Sequence, residues 1–345
     1  MPTVSLNDLI CASTGILKKL GLSHDDALAV ADTIKYANSH GVPTHGAGRL
    51  PLYEKNITAG TMDPTAVPEV VVDDCAIGVI DGHNALGQVA AKAAMELALR
   101  KVKEYGAAVV AVRNSNNFGT AGFYGAWAAR QGCGAIIMAN ASPAMAPTGG
   151  NRALFGTNPI CMSMPGVNDN PPIVLDMATT VVARTKIRTA AKEGMPIPGD
   201  WAIDAEGNST TDASKALDGT LLPIGGYKGY GLSLFVDLFA GMLAQGAFGG
   251  RVVPLSDLSA PSRNGHLFIL FDVFRFMDAT TYRDSYNFFA AQVASCGEGA
   301  RLPGERGFSE AASCGGFVDI TKKQLEEINQ LSEKLGIRCM KEVAQ

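Results

Sequence analysis

The chain has 345 residues, of which 47% are hydrophobic and 18% are charged, and its formal net charge at pH 7 is −4. This length exceeds one ordinary hydrophobic core, so it favours two lobes. The charge balance lacks the basic excess of proteins that bind nucleic acid or acidic membranes, and it argues against both kinds of partner.

The first forty residues carry two helix-start signals. Ser5 and Ser23 are each followed, three positions later, by an aspartate, as is typical of a helix N-terminus. We therefore expect helices over about 5–20 and 24–38.

The next segment, 39–55, reads SHGVPTHGAGRLPLYEK and is too rich in glycine and proline for a settled helix core. Its second half predicts a short helix that ends at Gly60. Pro51 would lie in the first turn of that helix, where its missing N–H is tolerated.

From about residue 68 the sequence alternates between strand and helix patterns, which indicates an α/β protein with at least one mixed sheet. Strands are predicted over 69–73, 76–80, 107–112, 134–138, 160–164, 172–176 and 266–271. Helices are predicted over 87–105, 120–131 and 228–244, and a last helix runs from the capping Thr321 to about 335.

The run 229–250 is apolar enough to raise the question of a membrane span. It also contains Asp237, Gln245 and several glycines, so we interpret it as a buried helix followed by a turn. The seven cysteines are scattered without a C-x-x-C pair, which favours a reducing compartment and argues against a zinc site. The amino terminus lacks the blocks of a signal peptide, so we expect a cytoplasmic protein without a metal site.

His45, Arg49 and Tyr53 are spaced four residues apart and would share one face of a helix. An arginine binds a carboxylate in bidentate fashion, and a histidine can exchange a proton near neutral pH. The three residues therefore suit a small acid that carries a carbonyl or hydroxyl group. The same pattern also fits a loop that leads into a helix and is held by hydrogen bonds.

Three glycine-rich loops lie at 149–159, 225–231 and 301–306, while the G-x-G-x-x-G fingerprint of a Rossmann site is absent. Glycines let backbone N–H groups approach phosphate oxygens, and Lys228 at a helix start would add a positive charge. Each loop taken alone is equally compatible with an ordinary tight turn. Asp176, at the end of a predicted strand, could belong to a site or cap a helix.

The segment around His45 resembles the signature S/T-H-G-x-x-R-x-x-x-Y of the malate/L-lactate dehydrogenase family, also called type 2 or sulfolactate-dehydrogenase-like. Its members include ureidoglycolate dehydrogenase, diketogulonate reductase and Δ1-piperideine-2-carboxylate reductase. The resemblance runs nearly end to end. It includes the motifs Asp81-Gly-His-Asn-Ala-Leu-Gly-Gln88, Asn114-Ser-Asn-Asn-Phe-Gly119, Phe155-Gly-Thr-Asn-Pro159, Leu175-Asp-Met-Ala-Thr179, Gly225-Gly-Tyr-Lys-Gly-Tyr-Gly231 and Arg301-Leu-Pro-Gly-Glu305.

The resemblance implies an NAD(P)H-dependent oxidoreductase with an α/β, non-Rossmann fold. Its mixed-sheet NAD(P)-binding domain would span 67–309, and a helical lobe would combine 1–66 with 310–345. The family also implies a homodimer whose active site lies between lobes. NAD is favoured over NADP, although no acid or arginine can be assigned to the ribose 2′ position.

The resemblance also implies roles for individual residues. His45 would be a catalytic acid/base, Arg49 would hold the substrate carboxylate with Tyr53 nearby, and Asp176 would orient the histidine or a water. The cofactor site would be lined by Thr157, Asn158, Pro159, Asp176, Met177, Ala178, Thr179, Lys228, Gly304, Glu305 and Arg306.

One position departs from the family pattern. The family usually has S-N-H-F-G or S-H-H-F-G, whereas Asn117 stands here in place of the histidine. Asparagine can polarise a carbonyl but cannot carry a proton at neutral pH. Either His45 performs the acid–base step alone, or the chemistry differs, or activity is lost.

We therefore expect a dehydrogenase that transfers hydride between a nicotinamide cofactor and C2 of a small 2-hydroxy or 2-oxo acid of the malate, L-lactate or sulfolactate type. A reductase of cyclic imine carboxylates is the alternative enzyme. A non-catalytic nucleotide- or metabolite-binding homologue is the alternative of another class.

Overall fold

The computed structural model describes residues 1–168 and 170–343. The strands are β1 Thr3–Ser5, β2 Glu69–Asp74, β3 Ile77–Asp81, β4 Ala107–Ser115, β5 Cys133–Ala139, β6 Ile160–Met164, β7 Ile173–Met177, β8 Ala202–Ile203, β9 Thr220–Leu221, β10 Asn264–Asp272 and β11 Phe317–Asp319. The helices are α1 Leu6–Lys19, α2 His24–Ser39, α3 Leu50–Thr58, α4 Gly87–Tyr105, α5 Ala121–Arg130, α6 Arg184–Glu193, α7 Ala213–Asp218, α8 Tyr227–Val236, α9 Ala279–Ser295, α10 Glu305–Ser313 and α11 Lys322–Leu335.

The centre of the fold is a seven-stranded sheet in the order β2-β3-β4-β10-β5-β6-β7. Strands β3 and β4 run parallel, while the other five pairings are antiparallel. A Rossmann sheet is mostly parallel, so this mixed sheet accounts for the missing dinucleotide fingerprint. The predicted non-Rossmann, mixed α/β fold is confirmed.

The two ends of the chain pack into one helical core. Leu9 and Ile34 from the first two helices share a fully apolar cluster with Ile328 of α11. Strand β1 pairs with β11, which ties the ends together through the backbone. Ser5, Ser23 and Thr321 each cap a helix as the sequence predicts, and Thr321 forms a capping box. The domain boundaries at 66 and 309 stay a prediction.

A small third cluster was not predicted. Helices α6 and α7 and the short strands β8 and β9 pack around Ile187, Ile197 and Leu221. The strands have two residues each, and α6 buries only Ile187, so neither leaves a clear hydrophobic period in the sequence. Helices α9 and α10 were also missed.

The predicted helix at 228–244 is present as α8, which continues into a π-helical turn over Asp237–Met242. The expectation that it is buried is wrong. Only its inward residues, such as Val236 and Ala240, pack on the sheet. An apolar α8 face, formed by Leu232, Phe235, Phe239 and Met242, is exposed, with 54% of Phe235 accessible. Among the described residues, no helix is long and apolar enough to cross a bilayer.

Candidate active site

The segment around His45 forms two short turns before α3 begins. His45 ends a 3₁₀ turn at Pro43–His45, and Arg49 ends a second at Ala47–Arg49. The side-chain oxygen of Asn38 accepts a hydrogen bond from the Ala47 N–H at 2.8 Å, which fixes the loop against α2. The residues therefore do not form one continuous helix face as the spacing predicts.

Tyr53 does not share a cavity with His45 and Arg49. Its ring is fully buried in the helical core, and its hydroxyl accepts a hydrogen bond from Gln88 Nε2 at 2.7 Å. In the described part of the chain it does not line the cavity that His45 and Arg49 share. The expectation that all three present one face is wrong, because α3 starts a new local geometry at Leu50.

His45 and Arg49 line a cavity of about 260 Å³ between the helical lobe, the sheet and α6. This volume suits a small acid rather than a whole dinucleotide. The structure brings Asn117 to the same cavity. Its polar lining includes Thr44, His45, Arg49, Asn117, Ser142, Thr157, Arg184, Thr185, Arg188, Ser256, Ser262 and Asn264, and no carboxylate side chain of the described residues belongs to it.

The His45 imidazole has an orphaned atom. Nδ1 is buried and has no hydrogen-bond partner within residues 1–168 and 170–343. Burial, and then the charge of Arg49, lower the pKa of His45 to about 3. The free protein therefore holds this histidine neutral at physiological pH, with a nitrogen able to take up a proton.

Arg49 is anchored by one nitrogen and leaves its others for a ligand. Its Nε donates to the Thr44 carbonyl at 2.8 Å. No acidic side chain of the described residues forms a salt bridge with it. Burial lowers the pKa of Arg49, and the neighbouring charge of Arg188 lowers it further. An unpaired, desolvated guanidinium beside a neutral histidine suits a carboxylate ligand.

Asn117 presents a donor to the cavity. Its side-chain oxygen accepts a hydrogen bond from the Gly119 N–H at 3.2 Å, which leaves the amide nitrogen for a ligand. A carbonyl oxygen is the group such a donor would bind.

Of the predicted cofactor residues, Thr157 lines the cavity itself and Thr179 lies beside it. The Thr179 hydroxyl donates to the Thr157 carbonyl at 3.1 Å. Asn158 has a structural position, because its amide oxygen accepts from the Ala141 N–H and its amide nitrogen donates to the Ser233 carbonyl. The Pro159 carbonyl accepts from the Ala139 N–H. Met177 and Ala178, both half-buried, follow at the end of β7.

Asp176 lies on the edge strand β7 and binds the start of α5. Its carboxylate accepts hydrogen bonds from the Thr120 hydroxyl and from the Gly122 N–H, the latter at 2.7 Å. Desolvation raises the pKa of this carboxyl. Its described contacts do not include His45, so the expectation that Asp176 orients that histidine is wrong. Asp176 instead caps α5, a helix that comes before it in the sequence.

Lys228 and the 304–306 segment lie outside the His45 cavity. Lys228 is exposed in the first turn of α8. The preceding Gly225 and Gly226 line a separate cavity of about 830 Å³ together with Gly149 and Gly150. Two of the three predicted glycine-rich loops therefore meet at one cavity.

Gly304 begins α10 next to β7, and its φ of +86° is left-handed. A Cβ there would lie 2.8 Å from the Val174 carbonyl oxygen, so only glycine fits. Glu305 accepts a hydrogen bond from the Leu302 N–H, and Arg306 pairs with Glu310 at 3.5 Å.

The starts of α8 and α10 are the helix N-termini closest in sequence to Lys228 and Gly304. Neither helix has a side-chain cap. The Lys228, Gly229 and Glu305 N–H groups already donate to backbone carbonyls, so an anion would rely on the remaining first-turn N–H groups and on the helix dipole. A Cβ on Gly226 would meet no atom within 4 Å, which leaves the backbone open to a close ligand.

Arg184 and Arg188 were missed by the sequence interpretation. They lie one helical turn apart on α6, and the signal was two like charges at i and i+4 with no acidic residue between them. Nothing in the sequence alone placed α6 opposite His45.

Comparison with known proteins gave consistent matches. The family described as malate/L-lactate dehydrogenase matches residues 4–329. The malate/(S)-sulfolactate dehydrogenase of Methanothermus fervidus is 35% identical over 93% of this chain and 95% of that protein. The solved structure of sulfolactate dehydrogenase from Methanocaldococcus jannaschii has a TM-score of 0.91 at 33% identity and covers 98% of both chains. The Δ1-piperideine-2-carboxylate reductase structure from Pseudomonas syringae has a TM-score of 0.88 at 31% identity, with 96% of this chain and 100% of that chain covered.

Proposed function

This chain belongs to the malate/L-lactate dehydrogenase family, and on that premise we propose that it is an NAD(P)-dependent 2-hydroxy acid dehydrogenase. It transfers hydride between the nicotinamide and C2 of a small 2-hydroxy or 2-oxo acid. The observation that carries the proposal is the shared cavity of His45, Arg49 and Asn117, which has a proton-accepting atom, a free cation and an amide donor.

Each residue has one task in the reductive direction. Arg49 binds the carboxylate of the 2-oxo acid and so fixes C2 in the cavity. The amide nitrogen of Asn117 donates a hydrogen bond to the oxygen on C2. A bound reduced nicotinamide would supply the hydride to C2 and would itself be oxidised. His45 gives a proton to the oxygen on C2, so the product is the 2-hydroxy acid.

His45 is the proton carrier. Among the described side chains that line the cavity it is the one that ordinarily titrates near neutral pH. Asn117 cannot replace it, because an amide neither gains nor loses a proton at this pH. The bound substrate anion would raise the pKa of His45 and supply the charge that keeps the imidazolium stable.

The dinucleotide would lie along the sheet edge towards the uncapped starts of α8 and α10. Lys228 and the 304–306 segment would hold its phosphates, while Thr157 and Met177 would face the nicotinamide end. Asp176 would act indirectly by fixing the first turn of α5. NAD is the proposed cofactor and NADP the alternative.

We further propose that the protein is a homodimer and works in the cytoplasm. The exposed apolar α8 face suits burial against a second copy. All seven cysteines have free thiols, which suits a reducing compartment.

A screen of nicotinamide oxidation tests the function. Oxaloacetate, sulfopyruvate, pyruvate and a cyclic imine carboxylate are offered with NADH and with NADPH, after calorimetry has shown which dinucleotide binds. We expect turnover of a 2-oxo acid that is lost in His45→Gln. Dinucleotide binding without turnover of any compound would support a non-catalytic binding protein instead.

A further inference from the structure

The His45 cavity holds more positive charge than one carboxylate can balance. Arg49, Arg184 and Arg188 all line it, and no described carboxylate does. A 2-oxo acid with one carboxylate would offset one of these three cations. The other two would remain together at one side of the cavity.

The two surplus cations lie on α6. Arg184 and Arg188 are four residues apart and so project from the same side of the helix. Like charges in this arrangement are unfavourable without a counter-ion. Burial, and then the charge of Arg188, lower the pKa of Arg184. Within the described chain, neither arginine forms a salt bridge.

The arginines are nonetheless held in place. The Nη2 atom of Arg184 donates to the Leu217 carbonyl at 2.8 Å, which anchors the side chain against α7. Ile187, between the two arginines, is fully buried in the small third cluster, so the arginine side of α6 is fixed relative to that cluster. The Thr185 hydroxyl is a buried polar atom without a partner in the described residues, and it lines the same cavity.

We propose that Arg184 and Arg188 form a second anion subsite, so that the substrate is a 2-oxo or 2-hydroxy acid with an additional carboxylate or sulfonate. This inference rests on the proposed function. Arg49 binds the carboxylate next to C2, and the α6 arginines bind the distal anion. The two arginines are specificity-determining residues, and neither touches the reacting atoms.

The test compares substrates of different charge in a charge-neutral variant. Arg188→Gln is chosen because Arg188 is exposed at the mouth of the cavity and has no described hydrogen bond that its loss would break. Lys186→Gln is the matched control, since it removes a positive charge from the same helix outside the cavity. kcat/KM is measured for oxaloacetate, sulfopyruvate and pyruvate at saturating cofactor.

We expect the wild-type protein to prefer oxaloacetate or sulfopyruvate over pyruvate. Arg188→Gln lowers that preference by about 10- to 100-fold, the range for a lost charge-assisted hydrogen bond, whereas Lys186→Gln keeps it. Preference for oxaloacetate identifies a distal carboxylate, and preference for sulfopyruvate identifies a distal sulfonate. Equal kcat/KM for pyruvate and both dianions would overturn the subsite while the dehydrogenase function stands.

Two further outcomes would also decide the proposal. If Arg188→Gln raises the KM of the cofactor and leaves the oxo acid preference unchanged, the arginine serves the dinucleotide and the subsite is refuted. If no oxo acid is turned over, the proposed function fails. The subsite is then tested separately, by calorimetric comparison of the affinities for L-malate and L-lactate. Tighter binding of L-malate that is lost in Arg188→Gln supports it, and equal binding refutes it.

Discussion

The lowered pKa of His45, a half-buried residue whose Nδ1 atom is buried, predicts different pH profiles for the two directions of the reaction. Its pKa of about 3 in the free protein keeps the imidazole neutral from about pH 4 upward. Oxidation of a 2-hydroxy acid needs this neutral form as a base, so kcat/KM for oxidation should be independent of His45 ionisation between pH 5 and 8. Reduction needs one added proton, so kcat/KM for reduction should fall about tenfold per pH unit over that range.

Burial is the main cause of the lowered pKa of His45, and the charge of Arg49 adds to it. Arg49 from its own segment and Arg184 and Arg188 from α6 are cations, and Asn117 opposite them is neutral. Protonating the free histidine at pH 7 costs about 5 kcal/mol, four pH units above its pKa. One bound anion about 4 Å away returns about 4 kcal/mol at an effective dielectric of 20. Binding of the acid should therefore offset most of this cost, and proton uptake on binding should increase as the pH falls from 8 to 5.

The assay measures both directions with saturating cofactor from pH 5 to 8 in wild type, His45→Gln and the control His24→Gln, an exposed histidine in the first turn of α2. His45→Gln should lower kcat by about 10²- to 10⁴-fold and abolish the reductive slope. An acid limb near pH 6.5 in the oxidative profile that disappears in His45→Gln would refute the argument from burial. An unchanged kcat in His45→Gln would refute the role of His45 itself.

Three stability predictions complete the set. His266 is fully buried with its pKa lowered to about 3, so the unfolded state binds the proton first, and this histidine alone should lower the free energy of unfolding by about 2 kcal/mol from pH 7 to 5. His45, whose pKa is also about 3, should add a similar fall. His266→Gln should show a fall that is shallower by about 2 kcal/mol in urea titrations, and a fall equal to that of the wild type would contradict this. Asp176→Ala should lower the free energy of unfolding by about 1–2 kcal/mol through loss of the α5 cap. Asp218→Ala, at an exposed aspartate, is the control in thermal denaturation. Gly304→Ala should lower the free energy of unfolding by about 1–3 kcal/mol, because the new Cβ of a left-handed residue would meet the Val174 carbonyl. Gly60 is also left-handed but has no neighbour within 4 Å, so Gly60→Ala should lower it less. Equal losses of stability in the two variants would exclude the steric contribution.

Local features of the sequence were sufficient for the strands of the central sheet and for the helices that pack on it, but not for α6, α7, α9 and α10. The caps at Ser5, Ser23 and Thr321 act within one helical turn, and the strand and helix periods of the sheet act within one element. Proton exchange by His45 and carboxylate binding by Arg49 could also be predicted, because they follow from the residue types and a short motif. The alternation of strand and helix patterns also predicted a mixed sheet, and family resemblance then supplied the non-Rossmann fold.

Only the tertiary structure decided how those residues are used. Gln88, 35 residues further along the chain, donates a hydrogen bond to the Tyr53 hydroxyl and holds it inside the core. Asp176 caps α5 through Thr120, which lies 56 residues earlier in the sequence. The arginines of α6 reach the His45 cavity through the packing of a small cluster whose helix buries a single apolar residue. Such contacts depend on long loops closing in three dimensions, and a sequence pattern reports only neighbours along the chain.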